Sequence, residues 1–335
     1  MTVNDDVAII SGKLKEMGYK IKKSHRFKEL VKFDEYWGHV FNLFYEKPFL
    51  RLIFQHFLSE SNISDVPTIL AEFRGNQKII EEILAEIPLY VDVCPSCDST
   101  NFIRKSVHGN EIYYCKSCEQ QFESPIKKQS LSELGSFDMY RFLMELVDAG
   151  ILAYGYQLMC YRCGKVETFY RYEYIKNILC QQCNDVRELT HIFSLVYPPR
   201  DIRNLDSVWL EWYVYKLVKE KCQNSLTAVL PTHEVIGDDF KTEVDLIVLM
   251  KNGRLLSLDC KAKHFRKTLG KDDVDPNILS WNDFSDIVGI ITTSKISDQC
   301  IQFWKDKLKN PVFVDGSNLE KLDEILQTLA EQRLG

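Results

Sequence analysis

Two apolar runs near the C-terminus decide the fold: Thr242-Glu243-Val244-Asp245-Leu246-Ile247-Val248 and Leu256-Ser257-Leu258-Asp259-Cys260-Lys261-Ala262, with Lys251-Asn252-Gly253 between them. Both runs contain enough apolar and β-branched residues to be buried strands, and an Asn-Gly pair is a hairpin-turn signal. Each run carries two charges spaced two residues apart, so both charges of a run lie on one face of its strand. The stretch therefore predicts a β-hairpin that carries charged side chains into a mostly apolar sheet.

The register of this hairpin decides whether the two charged faces coincide. A two-residue turn at Asn252-Gly253 would place Asp245 opposite Cys260 and would put Asp259 on the other face. A three-residue loop with Gly253 in the left-handed conformation would place Asp245 opposite Asp259. Like charges in that position destabilise a sheet, and a divalent cation between them removes the conflict. We therefore expect the second register.

The predicted hairpin offers oxygen ligands for a hydrolytic metal site. Asp245, Asp259 and the backbone carbonyl of Cys260 would hold Mg²⁺ or Mn²⁺, which bind carboxylate and carbonyl oxygens together with waters. The same register places Glu243 opposite Lys261. With a pKa lowered by burial, Lys261 would orient or deprotonate a metal-bound water that attacks a phosphate. Glu243 would hold a second metal ion or further waters.

A further carboxylate lies on a predicted helix upstream of the hairpin. The stretch from Ser207 to Leu217 is apolar on nearly every side, which is typical of a buried helix. Glu211 stands in its middle, and a buried glutamate is rare unless it is paired. Two interpretations follow: Glu211 contributes to the metal site, or it forms a salt bridge, for example with Lys261.

Eight of the eleven cysteines form four Cys-x-x-Cys pairs, which their spacing groups into two quartets. The quartets are Cys94, Cys97, Cys115 and Cys118, and Cys160, Cys163, Cys180 and Cys183. Two such knuckles place four thiolates around one tetrahedral zinc ion, and in a reducing compartment the pattern indicates metal ligation and not disulfides. A closed four-thiolate shell has no position for substrate, so the sequence predicts two structural zinc sites.

The order of these patterns predicts an α+β multidomain protein with five segments. They are an N-terminal helical domain (1–92), a first zinc ribbon (93–124), a helical connector (125–158), a second zinc ribbon (159–199) and a C-terminal α/β domain (200–335). The basic run from Lys20 to Lys32 either contacts phosphate or forms the solvated face of a helix, and the second interpretation is favoured because it is the usual place for such runs. The alternation of Tyr170, Tyr172 and Tyr174 predicts a strand whose tyrosines either cover the core of the second ribbon or stack on unpaired bases.

The composition and the N-terminal sequence limit the cellular location and the binding partners that we expect. The chain has 335 residues and a net charge of −6, which argues against a generally basic nucleic-acid coat but allows a local basic groove. The N-terminus lacks the basic and apolar segments of a signal peptide, and no apolar run is long enough to span a bilayer. We therefore expect a cytoplasmic protein that does not bind membranes.

The charged residues described above resemble the motif of the PD-(D/E)xK nucleases, the restriction-endonuclease-like superfamily. The segment Trp209-Leu210-Glu211-Trp212-Tyr213-Val214-Tyr215, followed by Glu243-Val244-Asp245 and Asp259-Cys260-Lys261, is most similar to the nuclease domain of CARF-associated CRISPR ancillary nucleases. The similarity covers about residues 205–292. It implies a restriction-endonuclease-like fold for the C-terminal domain, metal-dependent cleavage of nucleic acid, and catalytic roles for the matching acids and the lysine.

The chain departs from the family's pattern at two positions and in one domain. Val244 stands where the family has proline, and Asp259 stands where related proteins more often have glutamate. The residues before the C-terminal domain carry zinc ribbons and show no nucleotide-sensing Rossmann pattern. Members of the superfamily act in restriction, repair and antiphage defence, so antiphage defence is an expectation by analogy.

Three functional interpretations follow from the sequence. The first is a Mg²⁺- or Mn²⁺-dependent endonuclease that prefers DNA to RNA and uses its ribbons to recognise substrate, a protein partner or a second copy of the chain. The second is a non-catalytic zinc-ribbon adaptor or nucleic-acid-binding protein with an inactive nuclease-like domain. The third makes the hairpin an ordinary surface feature in which Glu243 and Lys261 form a cross-strand ion pair.

Overall fold

The structure of the chain is a computed structural model that describes most of its residues. The described ranges are 3–59, 63–74, 90–97, 99, 101–107, 110–129, 136–171, 174–196, 205–264 and 266–332. The chain divides into two compact units, of which the first contains Met1–Asn62 and Leu195–Gly335 and the second contains Ile63–Ser194. Both units combine helices and sheets, so the mixed α+β class expected from the sequence is confirmed.

The helices and strands of the described residues are as follows. The helices are α1 (Val3–Glu16), α2 (Arg26–Trp37), α3 (Phe41–Glu46), α4 (Pro48–Ser59), α5 (Val66–Arg74), α6 (Ser136–Asp148), α7 (Leu205–Lys221), α8 (Asp298–Lys305) and α9 (Leu322–Glu331). The strands are β1 (Lys20–Lys23), β2 (Ile63–Asp65), β3 (Tyr90–Val93), β4 (Phe102–Val107), β5 (Asn110–Cys115), β6 (Gln121–Phe122), β7 (Ile126–Gln129), β8 (Leu152–Met159), β9 (Val166–Phe169), β10 (Glu188–Leu195), β11 (Leu226–Ile236), β12 (Lys241–Met250), β13 (Leu255–Lys261), β14 (Thr268–Leu269), β15 (Ile287–Thr292), β16 (Lys295–Ile296) and β17 (Val312–Val314).

A six-stranded sheet forms the centre of the first unit, in the order β1-β11-β12-β13-β15-β17. Strands β1, β11, β12 and β13 pair antiparallel with one another in that order, and β13, β15 and β17 pair parallel. Strands β12, β13 and β15 are buried along almost their whole length, which explains their continuous apolar runs. Ile10 and Leu14 of α1 and Trp304 of α8 belong to the apolar core that forms with this sheet.

Helix α7 is apolar on all sides and is buried as the sequence predicts. Trp209, Trp212 and Tyr213 are fully buried, and burial of side chains of this size contributes roughly 1.5–3 kcal/mol each. Trp212 packs against Phe33 of α2 with ring centroids 5.0 Å apart, and its indole Nε1 donates a hydrogen bond to Asp34 Oδ1 at 2.7 Å. These contacts fix α2 against α7 within the first unit.

The hairpin between β12 and β13 has the predicted three-residue loop. Leu246 pairs with Leu258 across the two strands. Gly253 has a φ of 83°, the left-handed conformation that closes such a loop with a bulge. One residue pair further along, this register sets Asp245 opposite Asp259. The predicted register is therefore confirmed.

The N-terminal residues differ from the predicted separate helical domain. Residues 1–62 belong to the same unit as the C-terminal sheet, and Lys20–Lys23 form the edge strand β1, which pairs antiparallel with β11. The basic run is therefore not the solvated face of a single helix, because its first residues are a strand. Helical periodicity identified the apolar face of α1, but it could not indicate that the C-terminal sheet covers that face.

The second unit contains small sheets, among them β2-β10-β8-β9 and β4-β5-β6. The segment expected to be a helical connector contains strand β7, helix α6 and strand β8, so it is only partly helical. Strand β9 ends at Phe169 and the backbone bends at Tyr170, so Tyr170 and Tyr174 do not alternate along one strand. Tyr172 lies outside the described residues. Within the described ranges, the helices are too short or too polar to cross a membrane.

Replacing Gly253 by alanine should lower the free energy of unfolding of the first unit by about 1 kcal/mol, because an L side chain is disfavoured at a φ of 83°. Gly12→Ala is the matched control, since Gly12 lies in α1 with open space where a Cβ would stand, and it should be neutral or stabilising. Denaturant unfolding followed by tryptophan fluorescence measures both, because all five tryptophans lie in the first unit. Equal losses of stability in the two variants would contradict the left-handed loop.

Candidate functional site

Four carboxylates converge in the first unit, and we call them the acidic cluster. They belong to Glu211 of α7, Glu243 and Asp245 of β12, and Asp259 of β13. Two cations contact them: Arg26, the first residue of α2, and Lys261 at the end of β13. The structure thus brings together the acids and the lysine singled out in the sequence, and it adds an arginine. Their catalytic roles stay a prediction.

Arg26 connects three of the four acids. Its Nη2 donates a hydrogen bond to Glu211 Oε1. Its Nη1 lies 3.6 Å from Glu243 Oε1 and 3.7 Å from Asp245 Oδ1. The partner of Glu211 is therefore Arg26, and not Lys261 as the salt-bridge interpretation suggested. The remaining acid of the cluster, Asp259, is contacted by Lys261.

Sequence reasoning missed Arg26, although its signal was present in the basic run from Lys20 to Lys32. The run is rich in lysine, and Arg26 is its one arginine. Arginine is the usual choice for buried ion pairs because its planar fork is weakly hydrated and matches carboxylates. Only the packing of α2 against α7 shows that this side chain turns inward, where it is 19% exposed.

Burial makes the acids of the cluster difficult to ionise. Glu211, Asp245 and Asp259 are 1%, 6% and 4% exposed. Burial, followed by the charge of Asp245, raises the pKa of Glu211 well above its usual value, although Arg26 works to lower it. Burial also raises the pKa of Asp259 to about 7. Perturbed carboxylates of this kind are characteristic of functional sites.

Lys261 lies against Asp259, with its Nζ 2.8 Å from Asp259 Oδ1. Burial by itself would lower the pKa of the Lys261 amine, but the charges of Asp259 and Asp245 outweigh burial, and the pKa is raised. The expectation of a lowered pKa is therefore wrong, because it considered burial without the two carboxylates beside the amine. Lys261 is therefore a hydrogen-bond donor and a positive charge in this arrangement.

The backbone of β13 fixes the orientation of Asp245. The N–H of Cys260 donates a hydrogen bond to Asp245 Oδ2 at 2.7 Å. The thiol of Cys260 is buried, and burial, followed by the charge of Asp245, raises its pKa well above the usual value, so it stays protonated. The side chain of Cys260 is thus a small core residue, and its backbone carbonyl stays a predicted metal ligand.

Two buried oxygen atoms of the cluster lack a hydrogen-bond partner in the described part of the chain. Asp259 Oδ2 and Glu211 Oε2 are buried and have no hydrogen-bond partner among the residues that the structure describes. An unpaired buried carboxylate oxygen is costly, and Mg²⁺ and Mn²⁺ take carboxylate oxygens as ligands. The burial and the chemistry of Asp245 and Asp259 therefore fit a divalent metal ion.

A cleft of 190 Å³ gives access to the cluster. The charged residues of the site that line it are Arg26, Glu243, Asp245, Asp259 and Lys261, and its other lining residues include Lys241, Asp275, Asn277 and Trp281. The Nζ of Lys241 lies 2.8 Å from Glu234 Oε1. A polar cleft of this size holds several waters, which a hydrolytic site requires.

The two cysteine quartets are both assembled in the second unit. In each quartet, the four Sγ atoms lie within 4.8 Å of one another. The Sγ separations between facing knuckles are 3.6 and 3.7 Å in the first quartet and 3.4 Å in the second, against about 3.8 Å for a tetrahedron of zinc–sulfur bonds. Each quartet could therefore bind zinc.

Comparison with known proteins finds only weak structural similarity. No protein-family model and no curated protein matches the chain. Among solved structures, protein VC1899 from Vibrio cholerae shares 14% identity at a TM-score of 0.39. Can2 from Sulfobacillus thermosulfidooxidans, solved in complex with cyclic tetra-adenylate, shares 12% identity at a TM-score of 0.40. Each match covers 99% of this chain and 62% of the other, so this chain spans about three fifths of their length.

A third similar structure is the DNA modification-dependent restriction endonuclease AspBHI. It shares 12% identity over 77% of this chain and 74% of its own, at a TM-score of 0.20. At this level of similarity no activity transfers from these proteins to this chain. The functional assignment therefore depends on the geometry of the acidic cluster.

Asp259→Asn should change the pH dependence of stability when no divalent metal other than zinc is present. The pKa of about 7 in the folded state exceeds the usual aspartate value of 3.8, so the folded state binds the proton more tightly. This contribution to stability is fully present below about pH 4 and is lost as the pH rises to about 7, a change of about 4 kcal/mol. Tryptophan-monitored unfolding between these pH values should show a flatter slope in the variant. An unchanged slope would contradict the burial of an ionisable Asp259.

The chain should contain two zinc ions, and Cys97→Ser should remove one of them, because a serine hydroxyl is a poor zinc ligand and breaks the closed tetrahedron. Elemental analysis of purified protein measures the zinc content. Cys222→Ser is the control, since Cys222 belongs to neither quartet and its thiol donates to the carbonyl of Leu217. A zinc content unchanged by Cys97→Ser would count against the first site.

Proposed function

We propose that the chain is a divalent-metal-dependent endonuclease that hydrolyses phosphodiester bonds at the acidic cluster. One observation carries the proposal. Asp245 and Asp259 are buried carboxylates on the neighbouring strands β12 and β13, each directly beyond the Leu246–Leu258 pair, and Lys261 Nζ lies 2.8 Å from Asp259 Oδ1. Two like charges in this position destabilise a sheet unless a cation compensates them, and this arrangement supports a bound metal ion.

Each residue around the metal position would have a distinct task. Asp245 and Asp259 would hold Mg²⁺ or Mn²⁺, with the carbonyl of Cys260 as a further ligand. Such an ion, when bound, lowers the pKa of a water and polarises the scissile phosphate. Lys261, as an ammonium, would donate hydrogen bonds to the attacking water or to a phosphate oxygen and stabilise the negative charge that develops there. Glu243, with 31% of its side chain exposed, would bind further waters at the cleft.

DNA is the substrate that we favour over RNA, on the resemblance of the charged motif to restriction-type nucleases. The ribbons of the second unit would recognise nucleic acid or a protein partner. Tyr161, Tyr170 and Tyr174 are 72%, 52% and 56% exposed, which supports stacking on unpaired bases better than a role in covering the ribbon core. A role in prokaryotic antiphage defence follows from the same resemblance by analogy.

A non-catalytic adaptor is the second candidate, and one observation favours it. Arg26 and Lys261 already compensate part of the charge of the acidic cluster, so the cluster could serve as a structural ion-pair network. The cysteine quartets would then carry the function. In that case biological activity would be lost in Cys97→Ser and retained in Lys261→Ala, which is the reverse of what a nuclease requires of its lysine.

Cleavage assays test the nuclease directly. The full chain, loaded with zinc and supplied with Mg²⁺ or Mn²⁺, should cleave at least one member of a panel of single- and double-stranded DNA and RNA. Asp259→Ala should lower the rate at least about 100-fold, because it removes a metal ligand, and loss of even an outer-shell partner costs 10–100-fold. Asp239→Ala is the matched control, since Asp239-Phe240-Lys241 repeats the acid-x-lysine spacing at an exposed aspartate. Intact substrate with both metals, or full activity in Asp259→Ala, would rule out the proposal.

A further inference from the structure

The two cations of the first unit divide the acidic cluster between them. The guanidinium of Arg26 contacts Glu211, Glu243 and Asp245. The amine of Lys261 contacts Asp259. Asp245 therefore stands between an Arg26 side of the cluster and a Lys261 side. Arg26 already supplies a positive charge to its side, and a buried oxygen without a hydrogen-bond partner among the described residues remains on each side, Glu211 Oε2 and Asp259 Oδ2. Of these two acids, Asp259 lines the cleft.

Arg26 is anchored on both flanks, so its guanidinium is a fixed charge. Immediately before it, the N–H of Ser24 donates to the carbonyl of Thr232 at 3.3 Å and continues the pairing of β1 with β11. Immediately after it, the ring of Phe27 packs against His233 with centroids 5.6 Å apart. The body of α2 is held against α7 by the contacts of Trp212 described above. A side chain placed in this way loses little freedom when it binds a carboxylate.

The net charge of the acidic cluster limits the number of divalent ions that it can bind. When all four carboxylates are ionised, Arg26 and Lys261 leave a net charge of −2, which one divalent ion neutralises. Of the other charges that line the cleft, Lys241 is paired with Glu234. Asp275 accepts hydrogen bonds from the neutral Asn277 and keeps its negative charge, which adds to the negative charge on the Asp259 side and raises the pKa of Asp259. A second divalent ion would make the cluster positive and would lie against the guanidinium.

We propose that Arg26 is the built-in counter-cation of the Arg26 side of the cluster, and that the site therefore takes a single divalent metal ion, on the side of Asp245 and Asp259. The inference rests on the proposed function and names the metal content of that same site. It assigns Glu211 to Arg26 and not to a second metal ion. Arg26 is thus a positioning residue, which acts through the charge that it supplies to Glu211, Glu243 and Asp245.

Binding of Mn²⁺ to the zinc-loaded full chain tests this proposal without any measurement of activity. Calorimetric titration, with free Mn²⁺ followed by electron paramagnetic resonance, gives the number of ions bound. We expect one ion in the unaltered chain, a second and weaker ion in Arg26→Gln, and one ion again in Arg26→Lys, which restores the charge. Asp259→Asn should lose the single ion. Any Mn²⁺ that still binds to this variant therefore measures background binding to the protein surface.

The outcomes separate failure of the inference from failure of the nuclease proposal. Two ions in the unaltered chain, or one ion in a folded Arg26→Gln, would overturn the role of Arg26 and leave the metal site standing. No ion in the unaltered chain would overturn both. If tryptophan fluorescence shows that Arg26→Gln does not fold, Glu211→Gln decides: the ion should be retained there, and its loss would make Glu211 a ligand and contradict the proposal.

Discussion

The burial of negative charge is the constraint on which the first unit depends. Glu211, Asp245 and Asp259 lie almost without exposure among apolar residues of α7, β12 and β13. An ionised carboxylate in such surroundings is strongly destabilising unless it is paired and hydrogen-bonded. Arg26, Lys261 and the N–H of Cys260 supply part of that compensation. Asp259 keeps a buried oxygen without a hydrogen-bond partner among the described residues, and that atom suits a metal ion.

The two cations that compensate the acids come from different parts of the chain. The lysine lies two residues from the acid that it contacts, whereas the arginine precedes the acids by almost two hundred positions. The sequence of the second unit lies between the two parts of the first. The N-terminal residues therefore complete the C-terminal sheet. Helix α1 covers the sheet, strand β1 extends its edge, and helix α2 supplies the guanidinium of Arg26. The edge position of β1 also protects β11 from pairing with another chain.

The two kinds of candidate metal site in this chain differ in their ligand atoms. The cysteine quartets of the second unit offer soft thiolates in closed groups of four, which suit zinc and leave no open position. The acidic cluster of the first unit offers hard carboxylate oxygens beside a cleft, which suit Mg²⁺ or Mn²⁺ and waters. The thiolate quartets are thereby poor sites for Mg²⁺ or Mn²⁺, which prefer oxygen ligands.

The sequence by itself determined the features that depend on local spacing. The Cys-x-x-Cys pairs predicted the two quartets, the all-round apolar character of α7 predicted its burial, and Gly253 predicted the loop that sets Asp245 opposite Asp259. These predictions succeed because strand alternation, helix periodicity and the left-handed preference of glycine act over a few residues.

Only the tertiary structure decided which residues compensate the buried acids. It placed Arg26 on Glu211, raised the pKa of Lys261 where burial alone would lower it, joined the N-terminal residues to the C-terminal sheet, and ended β9 before the tyrosines. The physical reason is that a periodic pattern shows which face of an element is apolar but not which distant segment covers it. Electrostatic compensation depends on distances between side chains that are far apart in sequence, and those distances exist only in the folded chain.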